Sequence, residues 1–234
     1  MTNDDDQKIK FAVSGGVSDR SIKAEIEGDQ KTIREFFSGL VPDFIKDGAG
    51  IISDRVKLWR WSNQVNIIKK AQEKIITCGL SKKHIPLKVL APIIENSSLE
   101  EDLLMQDKWA NLLANAATGR KEISPNYAAI LNELSPTEAL ILDKIFDTAS
   151  QESDYQKRKL IQFDKPQMQK ILSIGPEKAD LIVENLFRLN LLQSPGSRGA
   201  SMGNFPFALR TNEIFEFTTL GYEFVKVCRW ENGV

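Results

Sequence analysis

Between residues 51 and 77 the side chains of Ile51, Leu58, Trp61, Val65, Ile68 and Ile75 recur at steps of mostly seven, three and four. That spacing lays them along one side of a single long α-helix, which Gly79 ends. The stripe is narrow, so it predicts the seam of a helical hairpin or bundle rather than a helix buried on every side. Trp61 stands in the seam and Trp59 roughly opposite, where a partner molecule or the chain's own core can take them up.

Other elements are marked by local chemistry. Residues 9–13 and 21–27 alternate apolar and polar around Gly15-Gly16, which predicts an N-terminal β-hairpin within residues 1–29. A short amphipathic helix carrying Ile33, Phe36 and Phe37 follows Asp29, and Pro86 and Pro92 bracket a short connecting element. Ser98-x-x-Glu101 has the form of a capping box, so the next helix should start there and stop at Thr118-Gly119. One face of that helix holds Met105, Trp109, Leu112, Leu113 and Ala116. Asp107, Asn111 and Asn115 stand at i, i+4 and i+8 on another. Asparagine competes with the helix for backbone hydrogen bonds, so two on one face point either to a specific polar partner or to a solvated surface.

Ser124-Pro125 and Ser135-Pro136 each place a capping hydroxyl before a proline at the first helical position, and Glu138 completes a second capping box with Ser135. Residues 150–159 are polar and read as a loop. Beyond them come a helix over 166–172, a Ser173-Ile174-Gly175 turn, a helix over 176–189 and Asn190 at a left-handed cap. Leu191-Leu192 opens a strand, a Gly/Ser/Pro loop over 194–204 separates it from apolar 205–209, and Phe215-x-Phe217 hands over to a last helix. The fold predicted is mainly α: a hairpin at 1–29, a helical domain at 30–134, and a winged-helix-like domain at 135–234.

Charge narrows the partners. Residues 55–88 hold Arg55, Lys57, Arg60, Lys69, Lys70, Lys74, Lys82, Lys83 and Lys88 against Glu73 alone, nine against one. The next stretch reverses this with Glu95, Glu100, Glu101, Asp102 and Asp107, so the two are able to face each other. The C-terminal domain carries twelve basic and thirteen acidic residues, too even a balance for strong phosphate-driven binding to duplex DNA. Arg198 and Arg210 are the wing's candidates for a backbone contact. Conventional catalytic arrangements are missing: there is one histidine, His84, no G-x-S-x-G elbow, and no Gly-Lys-Ser/Thr after Gly15-Gly16. Cys78 and Cys228 lie far apart outside any C-x-x-C pair, which predicts two buried thiols and no zinc site. No cofactor is expected. No apolar run approaches the ~20 residues that span a bilayer, and the acidic start lacks a secretory pattern, so a cytoplasmic location is expected, with a peripheral place at the inner membrane face as the alternative.

The segment Pro86-Leu87-Lys88 to Ala91-Pro92-Ile93-Ile94-Glu95, followed by Trp109-Ala110-Asn111-Leu112-Leu113-Ala114-Asn115-Ala116, resembles the Abi-alpha (abortive infection alpha) family of bacterial proteins. Glu184-Asn185-Leu186-x-Arg188-Leu189 and Phe217-Thr218-x-Leu220-Gly221-x-x-Phe224 continue the likeness, which covers roughly residues 50 to 230. The resemblance implies a part in anti-phage defence, in which an infected cell stops growing or dies before phage are released. It brings no catalytic residues.

Three modes of action follow. A binding component would assemble with itself or a protein partner, with Trp59, Trp61, Asn111 and Asn115 as contact candidates. A membrane effector would use the apolar residues from Phe36 onward and the basic helix behind them on an anionic surface. A nucleic-acid sensor would use Lys69, Lys70 and Lys74, with Lys82 and Lys83, on phosphates.

Overall fold

A computed structural model describes residues 31–33, 35–37, 55–195 and 214–231. The predicted N-terminal hairpin lies outside them, as do the start of the long helix at 51–54, the strand at 205–209, Arg198 and Arg210.

Helices α1 (Arg55–Thr77), α2 (Leu87–Ser97) and α3 (Leu103–Thr118) form the first part. The long helix is present, and Val65, Ile68 and Ile75 of its stripe are buried. Ile67 and Ala71 are buried as well, so the apolar face is wider than the seam predicted, and it lies along α3. The reason is α3 itself, whose buried residues include Met105, Lys108, Trp109, Ala110, Leu112, Leu113, Asn115 and Ala117, every side of the helix in turn. A helix enclosed all round is the centre of its layer, and its neighbours must wrap it.

Pro92 does not end α2. The helix runs through it to Ser97, with Val89, Leu90 and Ile93 buried on one side. A proline removes the N–H that would pair with the carbonyl four residues back. Here that residue is Lys88, which is exposed, so water can serve its carbonyl. Ser98 closes α2 instead of opening α3: its hydroxyl donates to Glu95 O at 2.6 Å and accepts from Arg60 Nε at 3.0 Å. The cap of α3 is Asp102, whose carboxylate accepts from the N–H groups of Leu104 and Met105. A charged acceptor serving two orphan donors outcompetes the serine. Gly119, at φ 62°, stops α3 where the sequence predicted.

Helix α4 (Tyr127–Asn132) starts two residues beyond Ser124-Pro125, with Asn126 at its cap and no side-chain cap bond. Helix α5 (Pro136–Ala149) has the predicted capping box complete between Ser135 and Glu138. Asn185 then donates to the same Glu138 carboxylate at 2.7 Å, tying α5 to a later helix. The polar stretch after Ala149 is not all loop, since Asp154 caps a single turn, α6 (Tyr155–Arg158). Next come β1 (Phe163–Asp164), α7 (Lys165–Leu172), α8 (Pro176–Arg188), β2 (Leu192–Gln193), β3 (Ile214–Phe217) and α9 (Thr219–Val227). The three strands form a small antiparallel sheet in the order β1-β3-β2, with Phe163 opposite Phe215 and Leu192 opposite Phe217. Asn190, at φ 55°, makes the left-handed step into β2. The protein is thus mainly helical with one small sheet, and among the described residues one cluster of buried apolar side chains runs from Phe36 to Cys228. Among the described residues no helix is long and apolar enough to cross a membrane.

Candidate functional site: a helix clasped at both ends

Helix α9 is short, and both its ends are held by side chains or backbone from elsewhere. At its start Thr218 takes the cap position, accepting from Gly221 N at 2.8 Å while its hydroxyl donates to Asn190 O at 2.6 Å. The backbone N–H of Thr218 donates to Leu191 O at 3.1 Å. This draws the first turn of α9 onto the chain between α8 and β2. The approach is so close that a Cβ on Gly221 would stand 2.9 Å from Leu191 Cα and nearer still to its carbonyl oxygen. Glycine is required there for space, not for its backbone freedom.

The last carbonyls of any α-helix lack intrahelical donors. In α9 and just beyond it, α3 and the chain after it supply them. Asn115 donates to Val227 O at 2.8 Å and to Arg229 O at 3.1 Å, and Asn111 donates to Cys228 O at 3.0 Å. Lys121 donates to Lys226 O at 2.7 Å and reaches Arg229 O at 3.2 Å. A cation at this end also meets the negative pole of the helix dipole. Burial pushes the Lys121 ammonium below its ordinary pKa, and the nearby Glu231 carboxylate opposes that drop. Arg120 completes the set, donating to Glu231 O at 3.1 Å and covering the Trp230 ring.

A charged lock lies beside the clasp. Lys108, buried within α3, donates to Asp143 of α5 at 2.6 Å. Arg229 lies 3.6 Å from the same carboxylate, pairs with Asp147 at 2.7 Å and sits over the Phe146 ring. Cys228 is buried between these groups and the core, and burial pushes its thiol pKa up to about 12. The other thiol, Cys78, is only half-buried, which corrects the expectation of two buried cysteines.

Of the residues singled out in the sequence, Asn111 and Asn115 are brought together, buried and turned onto the chain's own α9. The polar partner of the two asparagines lies inside the molecule, while Asp107 at the start of that face stays half-exposed. Trp61 is half-buried on α1, and Trp59 lies on the same helix. The basic stretch is largely engaged within the chain. Lys74 pairs with Asp107 at 3.0 Å, Lys70 donates to Leu103 O at 3.5 Å, and Lys82 donates to Glu35 O and Phe36 O at 2.6 and 2.8 Å. Lys69, one helical turn before Glu73, also has an interaction of its own. The acidic stretch therefore meets the basic one at Lys74, as their opposite signs suggested. Lys108, Lys121 and Arg229 were not singled out, although a lysine one turn from Leu104, Met105 and Leu112 and next to Trp109 was a signal that a buried carboxylate awaited it.

On α8 the exposed side carries Glu177, Lys178, Leu181, Glu184 and Arg188, and Arg188 is paired with Glu133 at 2.7 Å.

This is a helical scaffold whose most elaborate polar site holds its own C-terminal helix in place. The chain belongs to the abortive infection alpha family, whose model matches residues 62–228. The match runs from the body of α1 to the residue after α9, so it includes Asn111, Asn115, Lys121, Thr218 and Gly221 of the clasp. No curated protein and no solved structure matches the chain.

Proposed function

We propose that this protein serves in bacterial anti-phage defence by abortive infection, and that it acts through contacts with other macromolecules and not through catalysis. Family membership supports the defence role. One observation carries the mode of action: Asn111, Asn115, Thr218 and Gly221, all within the motifs of the family resemblance, are spent on fixing α9. Residues used this way build a rigid surface, which is what a binding component needs.

The partner we favour is protein, a second copy of this chain included. Arg60, Lys70, Lys74 and Lys82 each hold an acceptor within the chain. Cations so engaged have less to offer lipid headgroups or phosphates than the sequence total suggests. We read the C-terminal half as a winged-helix-like docking module, on the strength of its helix, strand, helix, turn, helix, strand, strand order and its β1-β3-β2 sheet.

The test is phage challenge of a bacterium expressing the protein, alone and with its genomic neighbours, scoring plaques and culture growth together. Fewer plaques with early growth arrest is the expected result. Unchanged plaque counts in every combination would end the defence reading. Light scattering at micromolar concentration and recovery of bound proteins from the same cells test the mode of action. A strict monomer that brings down nothing would end the contact reading alone.

A further inference from the structure

We infer that the cleft between α5, β1 and α7 is a binding site for a small aryl carboxylate. The cleft has a volume of about 180 Å³. An apolar cavity of about 150 Å³ takes a benzene ring, so the space suits one ring with a small polar substituent. Its inner walls are Ile145, Met168 and the stacked pair Phe163 and Phe215, whose ring centroids lie 6.3 Å apart at 21°. Met168 and Phe215 are fully buried, so these walls are set by the core and stand preformed.

The polar groups are few and sit at the edge, the arrangement of small-molecule sites. Among the lining residues Lys144 is the cation and Asp164 the anion. They are not equivalent. Asp164 is committed to capping α7, where its carboxylate accepts from Gln167 N at 2.7 Å. Lys144 is exposed, and its ammonium has no acceptor among the described residues. Asp164 keeps its negative charge at that cap, so the group left to meet a ligand's carboxylate is the Lys144 ammonium, beside the apolar part of the cleft. Ile171, half-exposed, forms the mouth. The site is separate from the clasp around α9 and does not depend on the defence reading.

The probe is 4-fluorobenzoate, followed by ¹⁹F line broadening against the full-length protein, with neutral 4-fluorobenzamide as its isostere. The unaltered protein should bind the carboxylate saturably with a Kd of roughly 1 mM or below, the range open to a ligand of this size. Lys144→Gln should weaken the carboxylate about 3- to 10-fold, the range of a partly exposed ion pair, and leave the amide unchanged. Ile171→Trp, which closes the mouth from the solvent side and so leaves the core in place, should abolish binding of both. Three results would overturn the assignment: no saturable binding of 4-fluorobenzoate by the unaltered protein, equal affinity for the two probes, or an Ile171→Trp variant that binds as before.

Discussion

Asn115 of α3 donates a 2.8 Å hydrogen bond to the carbonyl of Val227, the last residue of α9, across 112 positions of sequence. The same amide group serves Arg229 O, and its residue is 1% exposed. An acceptor stripped of its donor in such a place has no water to turn to.

Asn115→Leu keeps the branched outline of the side chain and removes the donor. Leaving the buried Val227 carbonyl without its Asn115 donor, while Lys121 still reaches Arg229 O, costs about 1–3 kcal/mol, which for a chain of this size lowers the thermal midpoint by roughly 2–4 °C per kcal/mol. Asn66→Leu, on the exposed side of α1, is the comparison and should shift the midpoint little. Equal shifts for the two variants in a thermal melt would mean that the clasp contributes no stability.

Gly221→Ala tests the other end through its sign. Within an ordinary helix, alanine for glycine stabilises by about 0.5–1 kcal/mol. At Gly221 the added methyl meets the Leu191 backbone, which cannot rotate away as a side chain would. Overpacking of this kind costs about 1–3 kcal/mol. Urea unfolding should therefore show the variant less stable, and a gain in stability would mean that α9 does not sit against Leu191.

The lock between α3 and α5 should respond unequally to removal of its two partners. Asp143→Ala strands the buried Lys108 ammonium, and breaking such a pair from one side costs about 3–5 kcal/mol. Lys108→Met leaves Asp143 with Arg229 still beside it at 3.6 Å, so the carboxylate keeps a cation. Chemical denaturation of both variants should rank Asp143→Ala as clearly the less stable. The reverse order would show that Arg229 does not support the carboxylate.

The two thiols differ in access and in pKa. Half-buried Cys78 should react with a disulfide reagent in the native protein at neutral pH, and Cys228 only on unfolding. The Cys228 thiol, pushed up to about 12 by burial, stays protonated in the folded state well above pH 9, where the unfolded chain has begun to release that proton. Its contribution is fully present below about pH 9 and is lost as pH rises from there toward 12. Cys228→Ala should flatten that alkaline decline, seen as a smaller drop in thermal midpoint between neutral and alkaline buffer.

Local chemistry was legible and distant chemistry was not. Gly119, the Ser135–Glu138 box, Asn190 and the helices α5, α7, α8 and α9 follow from residues within a turn of one another, whereas the single turn α6 was read as loop. Where two local devices competed, the sequence alone did not rank them: Asp102 displaced the Ser98 box because its carboxylate serves two N–H groups at once. Pro92 looked like a stop because the solvent that serves the Lys88 carbonyl is a property of the packed molecule. The pair Asn111 and Asn115 pointed either to a polar partner or to a solvated surface, and packing decides for the partner. Its identity, the end of a helix more than a hundred residues later, depended on how α9 folds back. For the same reason the acceptors of Arg60, Lys74 and Lys82, which lie on other elements, could not be read from the local charge count over 55–88.

Read as winged-helix-like, the C-terminal half would present α8 to a duplex, and the exposed side of that helix decides whether phosphates are welcome. Glu177 and Glu184 stand there beside Leu181, and Arg188 is already paired with Glu133. Carboxylates facing a polyanion repel it, so the protein should show no binding to duplex DNA in a filter assay even at about 50 mM salt, where phosphate contacts are strong. The double change Glu177→Lys, Glu184→Lys turns the same face cationic without touching the buried Ala179, Ile182, Val183 and Leu186 that hold α8 in the core. That variant should gain binding that fades steeply as salt rises. Tight, salt-sensitive binding by the unaltered protein would mean that other cations dominate, and would move Arg198 and Arg210 from bystanders to the center of the contact.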